Sequence, residues 1–136
     1  MKNVLFVLFL VVCQFGVGQT KLNPLEYEPE EDYDNIWVKK ISEDVHQSVF
    51  VIWVKEDVKM HFHEAHTENI VVLSGKAEMV IGNEKLRIKK GDHINIPKGT
   101  HHAVTKVYRK PLKVLSIQSP LFDGKDRVFV EEELNY

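Results

Sequence analysis

The sequence predicts an all-β protein of about eight short strands, arranged as a sandwich or a barrel. Short runs rich in β-branched and aromatic residues recur from residue 36 onward, and turn residues separate them at nearly even spacing. No segment after residue 18 carries an apolar stripe with the 3.6-residue period of a helix. With 136 residues, the chain has room for one domain around one core.

The composition excludes several classes of function. The chain has 18 Lys and Arg against 20 Asp and Glu, a net charge of −2, so it lacks the basic footprint of a nucleic-acid-binding protein and has no polybasic membrane patch. One cysteine excludes an intramolecular disulfide and a zinc site of four thiolates. Six of the seven histidines lie between His61 and His102, and this clustering points to chemistry.

Residues 1–18 have the pattern of a secretory signal peptide. Lys2 gives a positive start, and the apolar run Val4–Val12 is well short of the ~20 residues that span a bilayer. Gly16-Val17-Gly18 supplies small residues for cleavage before Gln19. We therefore expect an exported protein, periplasmic or extracellular, with no membrane association once the peptide is removed. Cleavage also removes Cys13, and a cysteine-free mature chain suits an oxidising compartment.

Residues 19–35 form an acidic N-terminal segment. Six acidic residues fall between Glu26 and Asp34, and Pro24 and Pro29 interrupt the segment. We interpret it as a solvated linker into the domain. The barrel is placed at residues 36–120, and a C-terminal tail at residues 121–136.

Eight runs within the barrel have the composition of strands. Gly82-Asn83 joins two of them as a hairpin. One run, Ser48–Val54, is apolar on both faces, which indicates either a strand inside a sheet or one covered by a second subunit, and so hints at a homodimer. The runs are Ile36–Ile41, Ser48–Val54, Ile70–Leu73, Ala77–Ile81, Leu86–Ile88, His93–Ile96, His102–Val107 and Leu112–Ile117.

Three histidines and a glutamate have the spacing of a metal site. Side chains two apart on a strand share a face, so His61 and His63 are neighbours with Phe62 turned away. Glu68 opens the next strand after a four-residue turn, and an antiparallel neighbour can bring it beside the imidazoles. His102 begins another strand after a Pro-x-Gly turn and can face the same interior.

Imidazole nitrogens and a carboxylate oxygen suit borderline divalent ions. The candidates are Fe, Mn, Zn, Ni and Cu. Four protein ligands leave two positions of an octahedral ion for water or substrate, which is the arrangement of a catalytic rather than a closed structural site.

The first of these stretches resembles the first signature motif of the cupin family, G-x5-H-x-H-x(3,4)-E-x6-G. His61, His63, Glu68 and Gly75 match it at the family's spacing. Lys55 stands where the family has the opening glycine, which is not a ligand position.

The second stretch resembles the second cupin motif, G-x5-P-x-G-x2-H-x3-N. Gly91, Pro97, Gly99 and His102 match it, and Lys106 replaces the closing asparagine. The two motifs and the sequence around them cover about residues 44–118. Together they are specific for the fold, whereas either motif alone is a weaker indication.

The resemblance implies a jelly-roll barrel, often a homodimer, with a metal held by His61, His63, Glu68 and His102. In the family such metals serve dioxygenation, decarboxylation of small acids and isomerisation of sugars. One hypothesis is therefore a metal-dependent enzyme, an oxidoreductase or isomerase acting on a small molecule. The alternative is a non-catalytic module that captures a small sugar or acid, because one barrel hosts many functions. No catalytic acid or base is assigned.

The remaining histidines are expected to lie outside the ligand set. His66, in the turn before Glu68, could line the barrel mouth or replace a ligand, but we expect it to face solvent. His101 should point away from the metal by alternation with His102, and His93 should point outward. His46 receives no role.

Overall fold

A computed structural model describes residues 21–130. The predicted signal peptide and the last six residues of the predicted tail lie outside this range. Within it are ten strands and no helix long and apolar enough to cross a membrane. The strands are β1 (Ile36–Glu43), β2 (Ser48–Val54), β3 (Val58–His63), β4 (Thr67–Ser74), β5 (Lys76–Ile81), β6 (Glu84–Lys89), β7 (His93–Ile96), β8 (His102–Val107), β9 (Leu112–Ser119) and β10 (Arg127–Phe129).

The strands form two five-stranded sheets that enclose a core. The front sheet has the order β1-β2-β9-β4-β7, and the back sheet has the order β10-β3-β8-β5-β6. All pairs are antiparallel. Each sheet turns one face inward, as the alternation of apolar and polar residues requires. The predicted all-β, jelly-roll-type fold is confirmed.

Each of the eight predicted runs lies within a strand, and two strands were absent from that set. β3 alternates in the unusual sense, with buried histidines between partly buried apolar residues, and the metal-site argument already required a strand there. β10 is three residues long and pairs with β3 at the edge of the back sheet. A strand this short gives no periodic signal.

The interior divides into an apolar end and a polar end. β4 and β9 pair so that Val72 lies opposite Val114, while Glu68 lies opposite Gln118 four pairs further along. The apolar end holds the main cluster of buried aliphatic residues, including Met79 at 2% exposure. The polar end holds the candidate ligands, so the core strands also orient the site.

The acidic segment packs against the outer face of the front sheet. Tyr27 and Tyr33 contact a second buried cluster that contains Val51 and Trp53. The buried Lys113 donates hydrogen bonds from Nζ to the backbone carbonyls of residues 25 and 27, the first of them at 2.9 Å. The interpretation as a solvated linker is therefore wrong for this part of the segment. The doubly apolar β2 is an internal strand whose outer face this same chain covers.

Candidate metal centre

A bulge in β3 aims the first two histidines inward. Val58 lies opposite Val104, and His61 lies opposite His102. Between these two pairs, β3 therefore contains one more residue than β8. The extra residue changes the alternation, and both Val58 and His61 face the interior. His63 follows two positions later on the same face. His61 and His63 are 4% and 2% exposed, respectively, as the His-x-His spacing predicts.

His102 arrives from the neighbouring strand and Glu68 from the opposite sheet. The ring of His102 lies 4.1 Å from that of His61, centroid to centroid. Glu68 Oε2 lies 3.4 Å from Nε2 of His102 and 3.7 Å from Nε2 of His63. β3 and β4 do not pair, so the expectation of an antiparallel neighbour is wrong: the carboxylate reaches the imidazoles across the barrel.

Backbone carbonyls orient two of the imidazoles. Nδ1 of His61 lies 2.8 Å from the carbonyl oxygen of Lys59, and Nδ1 of His102 lies 2.9 Å from that of Thr100. A ring that donates from Nδ1 presents its Nε2 lone pair to the interior. Nε2 of His63 and Nε2 of His102 are buried without a hydrogen-bond partner among the described residues. A buried polar atom left in this state points to a missing ligand.

Burial keeps His61 neutral. Burial, followed by repulsion from His102, lowers the pKa of His61 to about 4. The imidazole is therefore unprotonated at neutral pH, which is the form that binds a metal ion.

Two side chains of β9 hold the carboxylate in place. Oε1 of Glu68 accepts hydrogen bonds from the Ser116 hydroxyl and, at 3.2 Å, from Nε2 of Gln118. Burial alone would raise the pKa of the Glu68 carboxyl, but the neighbouring imidazoles of His102 and His63 and the hydrogen bond from Ser116 outweigh it and hold the pKa well below its usual range. Oε1 is thus occupied, and Oε2 is turned toward the imidazoles.

These residues fit a divalent ion of borderline softness. One nitrogen from each of His61, His63 and His102 lies within 4.8 Å of the other two, and Glu68 adds an anionic oxygen beside them. Three imidazole nitrogens and one carboxylate match the preference of Fe, Mn, Zn, Ni or Cu. The structure brings all four predicted ligands together.

The expectation for His66 is wrong. The residue is 1% exposed, and its Nδ1 lies 2.7 Å from Oδ2 of Asp126. The same oxygen accepts the backbone amides of Ala65 and His66, so the turn is drawn inward against the segment that precedes β10. Phe122 packs edge-on against the His66 ring at 5.3 Å.

Asp126 is the functional residue that the sequence did not reveal. Its second oxygen, Oδ1, lies 3.6 Å from Nδ1 of His63. Asp126 therefore lies beside the ring of His63, although at a longer distance than the carbonyls that accept hydrogen bonds from the other two imidazoles. No motif contains it, and its contact with the site depends on the short pairing of β10 with β3.

The other histidines lie outside the centre, as expected. His101 is exposed and stacks on Phe62, with the ring centroids 4.9 Å apart, on the outer face of the back sheet. His93 is exposed, and its Nε2 lies 3.2 Å from Oδ1 of Asn69.

A small cavity adjoins the candidate ligands. It measures about 80 Å³, and His61, Glu68 and His102 form part of its wall. Most of the remaining wall is aliphatic, and Ile36, Val38 and Arg127 lie at the exposed rim. An ion held by the four side chains would thus have an accessible side.

Comparison with known proteins identifies related chains. Residues 48–118 match the family model described as "Cupin domain". An uncharacterised protein of Aquifex aeolicus is 36% identical over 113 residues, which cover 81% of this chain and 90% of the relative. A quercetin 2,3-dioxygenase of Bacillus subtilis is 41% identical over 44 residues, 32% of this chain and 13% of that enzyme.

A solved structure shows the same fold. It is an uncharacterised conserved protein with a double-stranded beta-helix domain from Klebsiella pneumoniae, 20% identical. The alignment covers 85% of this chain and all of the other, with a TM-score of 0.70.

Proposed function

Because this chain belongs to the cupin family, we propose that it is an exported metalloprotein that acts on a small molecule. Its single divalent ion is held by four ligands, two from β3 and one each from β4 and β8. The ligands are His61, His63, Glu68 and His102.

One observation carries this proposal. The Nε2 atoms of His63 and His102 are buried and unpartnered among the described residues, and both lie within 4 Å of the Glu68 carboxylate. A structural hydrogen-bond cluster would pair these atoms at shorter distance. An ion between them would satisfy both of these nitrogens at once.

We propose an enzyme of the oxidoreductase or isomerase type, such as a dioxygenase, a decarboxylase or a sugar isomerase. A bound divalent ion would supply Lewis acidity toward a substrate oxygen. The chain itself orients the ligands, excludes bulk water with aliphatic side chains and leaves one side of the centre open to the cavity. The match to part of a dioxygenase supports this choice.

The second candidate is a non-catalytic binding module. Its support is that, among the described residues lining the cavity, the titratable side chains are three candidate ligands and Arg127. None of these is a ready proton carrier once the ion is bound. A substrate screen with the metal-loaded protein separates the two candidates, since only the enzyme turns substrate over.

Elemental analysis of untagged protein tests the metal site. We expect about one divalent ion per chain, and loss of that ion in the double variant H61A/H63A. The matched control is H93A/H101A, which removes two exposed histidines and should retain the metal. Stoichiometric metal in H61A/H63A would refute the ligand assignment.

Export rests on the pattern of residues 1–18. Mass spectrometry of the native protein should find a chain that begins at or near Gln19. An intact Met1 on protein recovered from its final location would contradict export.

The homodimer rests on the family resemblance. The apolar outer face of β2 no longer supports it, because this chain covers that face. Sedimentation equilibrium of the mature protein measures the assembly directly, and a monomer across the micromolar range would contradict the dimer.

A further inference from the structure

The last strand of the described chain turns two side chains toward the centre. In the antiparallel pair of β10 with β3, Arg127 lies opposite His63 and Phe129 lies opposite His61. Directly opposed residues project from the same face of a sheet. The His61 and Phe129 rings are 5.9 Å apart, as this arrangement requires. Arg127 therefore projects toward the site from an edge strand.

Arg127 lies at the rim of the cavity. Among the described residues that line the cavity, it is the only arginine or lysine. Of the described residues that line the cavity, Glu68 and Arg127 are the ones with formal charge, and most of the others are aliphatic. The positive charges of a divalent ion and of the Arg127 guanidinium together exceed the single negative charge of the Glu68 carboxylate. The loaded cavity consequently carries excess positive charge in an apolar wall, where a charge interacts strongly.

No carboxylate of residues 21–130 forms an ion pair with Arg127. The adjacent carboxylate, that of Asp126, is directed to His63 and His66. The guanidinium instead lies over the ring of Phe122, 5.8 Å from its centroid. An arginine placed in this way keeps its donors available to a ligand, and its planar fork suits a carboxylate.

We propose that the cavity takes small aliphatic carboxylates and that Arg127 binds their carboxylate group. This inference rests on the proposed metal-dependent function and names its substrate class. The carboxylate pairs with the guanidinium at the rim, and the aliphatic body enters between β2, β4 and β9. The part of the ligand nearest the centre faces His61 and His102.

The dimensions limit the ligand to a few carbon atoms. A cavity of about 80 Å³ is far below the roughly 300–1,000 Å³ of sites for drug-sized ligands. The exposed side chains of Ile36 and Val38 offer apolar contact beyond the cavity itself. A four-carbon acid is therefore a suitable probe.

Butyrate and its neutral isostere butyramide test the proposal. Both are titrated into metal-free and zinc-loaded protein, and binding is followed by NMR, including the Nε–H signal of Arg127. We expect wild-type protein to prefer butyrate by at least about tenfold, since hydrogen bonds to charged groups are the stronger class. The preference should persist, reduced, without zinc.

The variants R127Q and R127K test whether Arg127 causes the preference for butyrate over butyramide. R127Q should bind butyrate no better than butyramide, R127K should recover part of the preference, and both should retain zinc. The control R87Q removes an exposed arginine that pairs with Glu78 on the back sheet, and it should behave as wild type. An equal affinity of wild-type protein for the two probes, or an undiminished preference in R127Q, would overturn the proposal.

The design separates this proposal from the metal site. If the wild-type protein binds none of the candidate divalent ions, the proposed function fails, while the metal-free titration still reports whether Arg127 selects the carboxylate. If zinc binds and the selectivity is absent, only the assignment of Arg127 fails.

Discussion

The carboxylate of Asp126 joins His66 to the candidate metal centre. Its Oδ2 lies 2.7 Å from Nδ1 of His66, and its Oδ1 lies 3.6 Å from Nδ1 of His63. Asp126 itself is separated from His66 by 60 residues of chain. The segment before β10 therefore supports the ring orientation of a ligand on β3.

Asp126→Asn should weaken metal binding without removing it. The amide removes the negative charge that lies beside the His63 and His66 rings, and loss of such a supporting group typically lowers metal affinity roughly 10- to 100-fold. Competition with a chelator of known affinity measures the change. The control is Asp123→Asn in the same loop, whose carboxylate accepts a hydrogen bond from the amide of Lys125. Equal metal affinity in D126N and D123N would contradict a supporting role.

Ser116→Ala should lower both stability and metal affinity. Ser116 is fully buried and donates to Oε1 of Glu68, so its removal leaves part of a buried carboxylate unsatisfied. Such a loss costs about 1–3 kcal/mol of unfolding free energy. Denaturant unfolding of the metal-free protein measures that loss, with the exposed Ser74→Ala as the control.

A Glu68 carboxylate freed from Ser116 can also rotate away from the imidazoles. We therefore expect S116A to bind metal more weakly than S74A in the same chelator competition. Unchanged stability together with unchanged affinity would show that Gln118 alone positions Glu68.

The fold and the clustering of the candidate ligands could be predicted because both depend on strand alternation. Spacing in a strand determines which face a residue occupies, so His61 with His63, and Glu68 with Ile70 and Val72, could be assigned to the interior from sequence. The motif spacing then related these faces to His102. The structure places each of these residues at the interior as expected.

The remaining features depend on contacts between distant segments. The position of His66 depends on Asp126, and that of Asp126 on a three-residue strand without a periodic pattern. The direction from which Glu68 approaches the imidazoles depends on which sheet contains β4. The alternation of residues along a strand does not indicate to which sheet that strand belongs. The local sequence pattern therefore identified which face of its strand each residue occupies. The pairing of distant strands determined which residues are neighbours in the folded protein.

Gly75→Ala should destabilise the barrel far more than Gly82→Ala. Both glycines have positive φ, +84° and +55°, so each substitution costs about 1–2 kcal/mol from backbone conformation. A Cβ on Gly75 would also lie 2.6 Å from the carbonyl oxygen of Pro111 and 2.9 Å from Cα of Leu112. A Cβ on Gly82 meets nothing within 4 Å.

The contacts of Gly75 are backbone atoms, which cannot rotate aside. Overpacking of this kind adds about 1–3 kcal/mol, and the difference between G75A and G82A in urea unfolding isolates that addition. Equal losses of unfolding free energy in G75A and G82A would show that the turn before β5 can move to accept the methyl group.

The ion pairs of Glu78 should make stability depend on acid pH. Hydrogen bonds from the Tyr108 hydroxyl and from Lys85 lower the pKa of the Glu78 carboxyl from 4.5 to about 2. A carboxyl whose pKa is depressed in the folded state stabilises the fold above its unfolded pKa and loses this contribution as the pH falls through the folded pKa. Wild-type protein should therefore melt at a higher temperature than E78Q near neutral pH. The gap should narrow between about pH 4.5 and pH 2, in thermal scans of both proteins across that range. The exposed Glu56→Gln is the control, and a gap between wild type and E78Q that stays constant down to pH 2 would refute the role of Glu78.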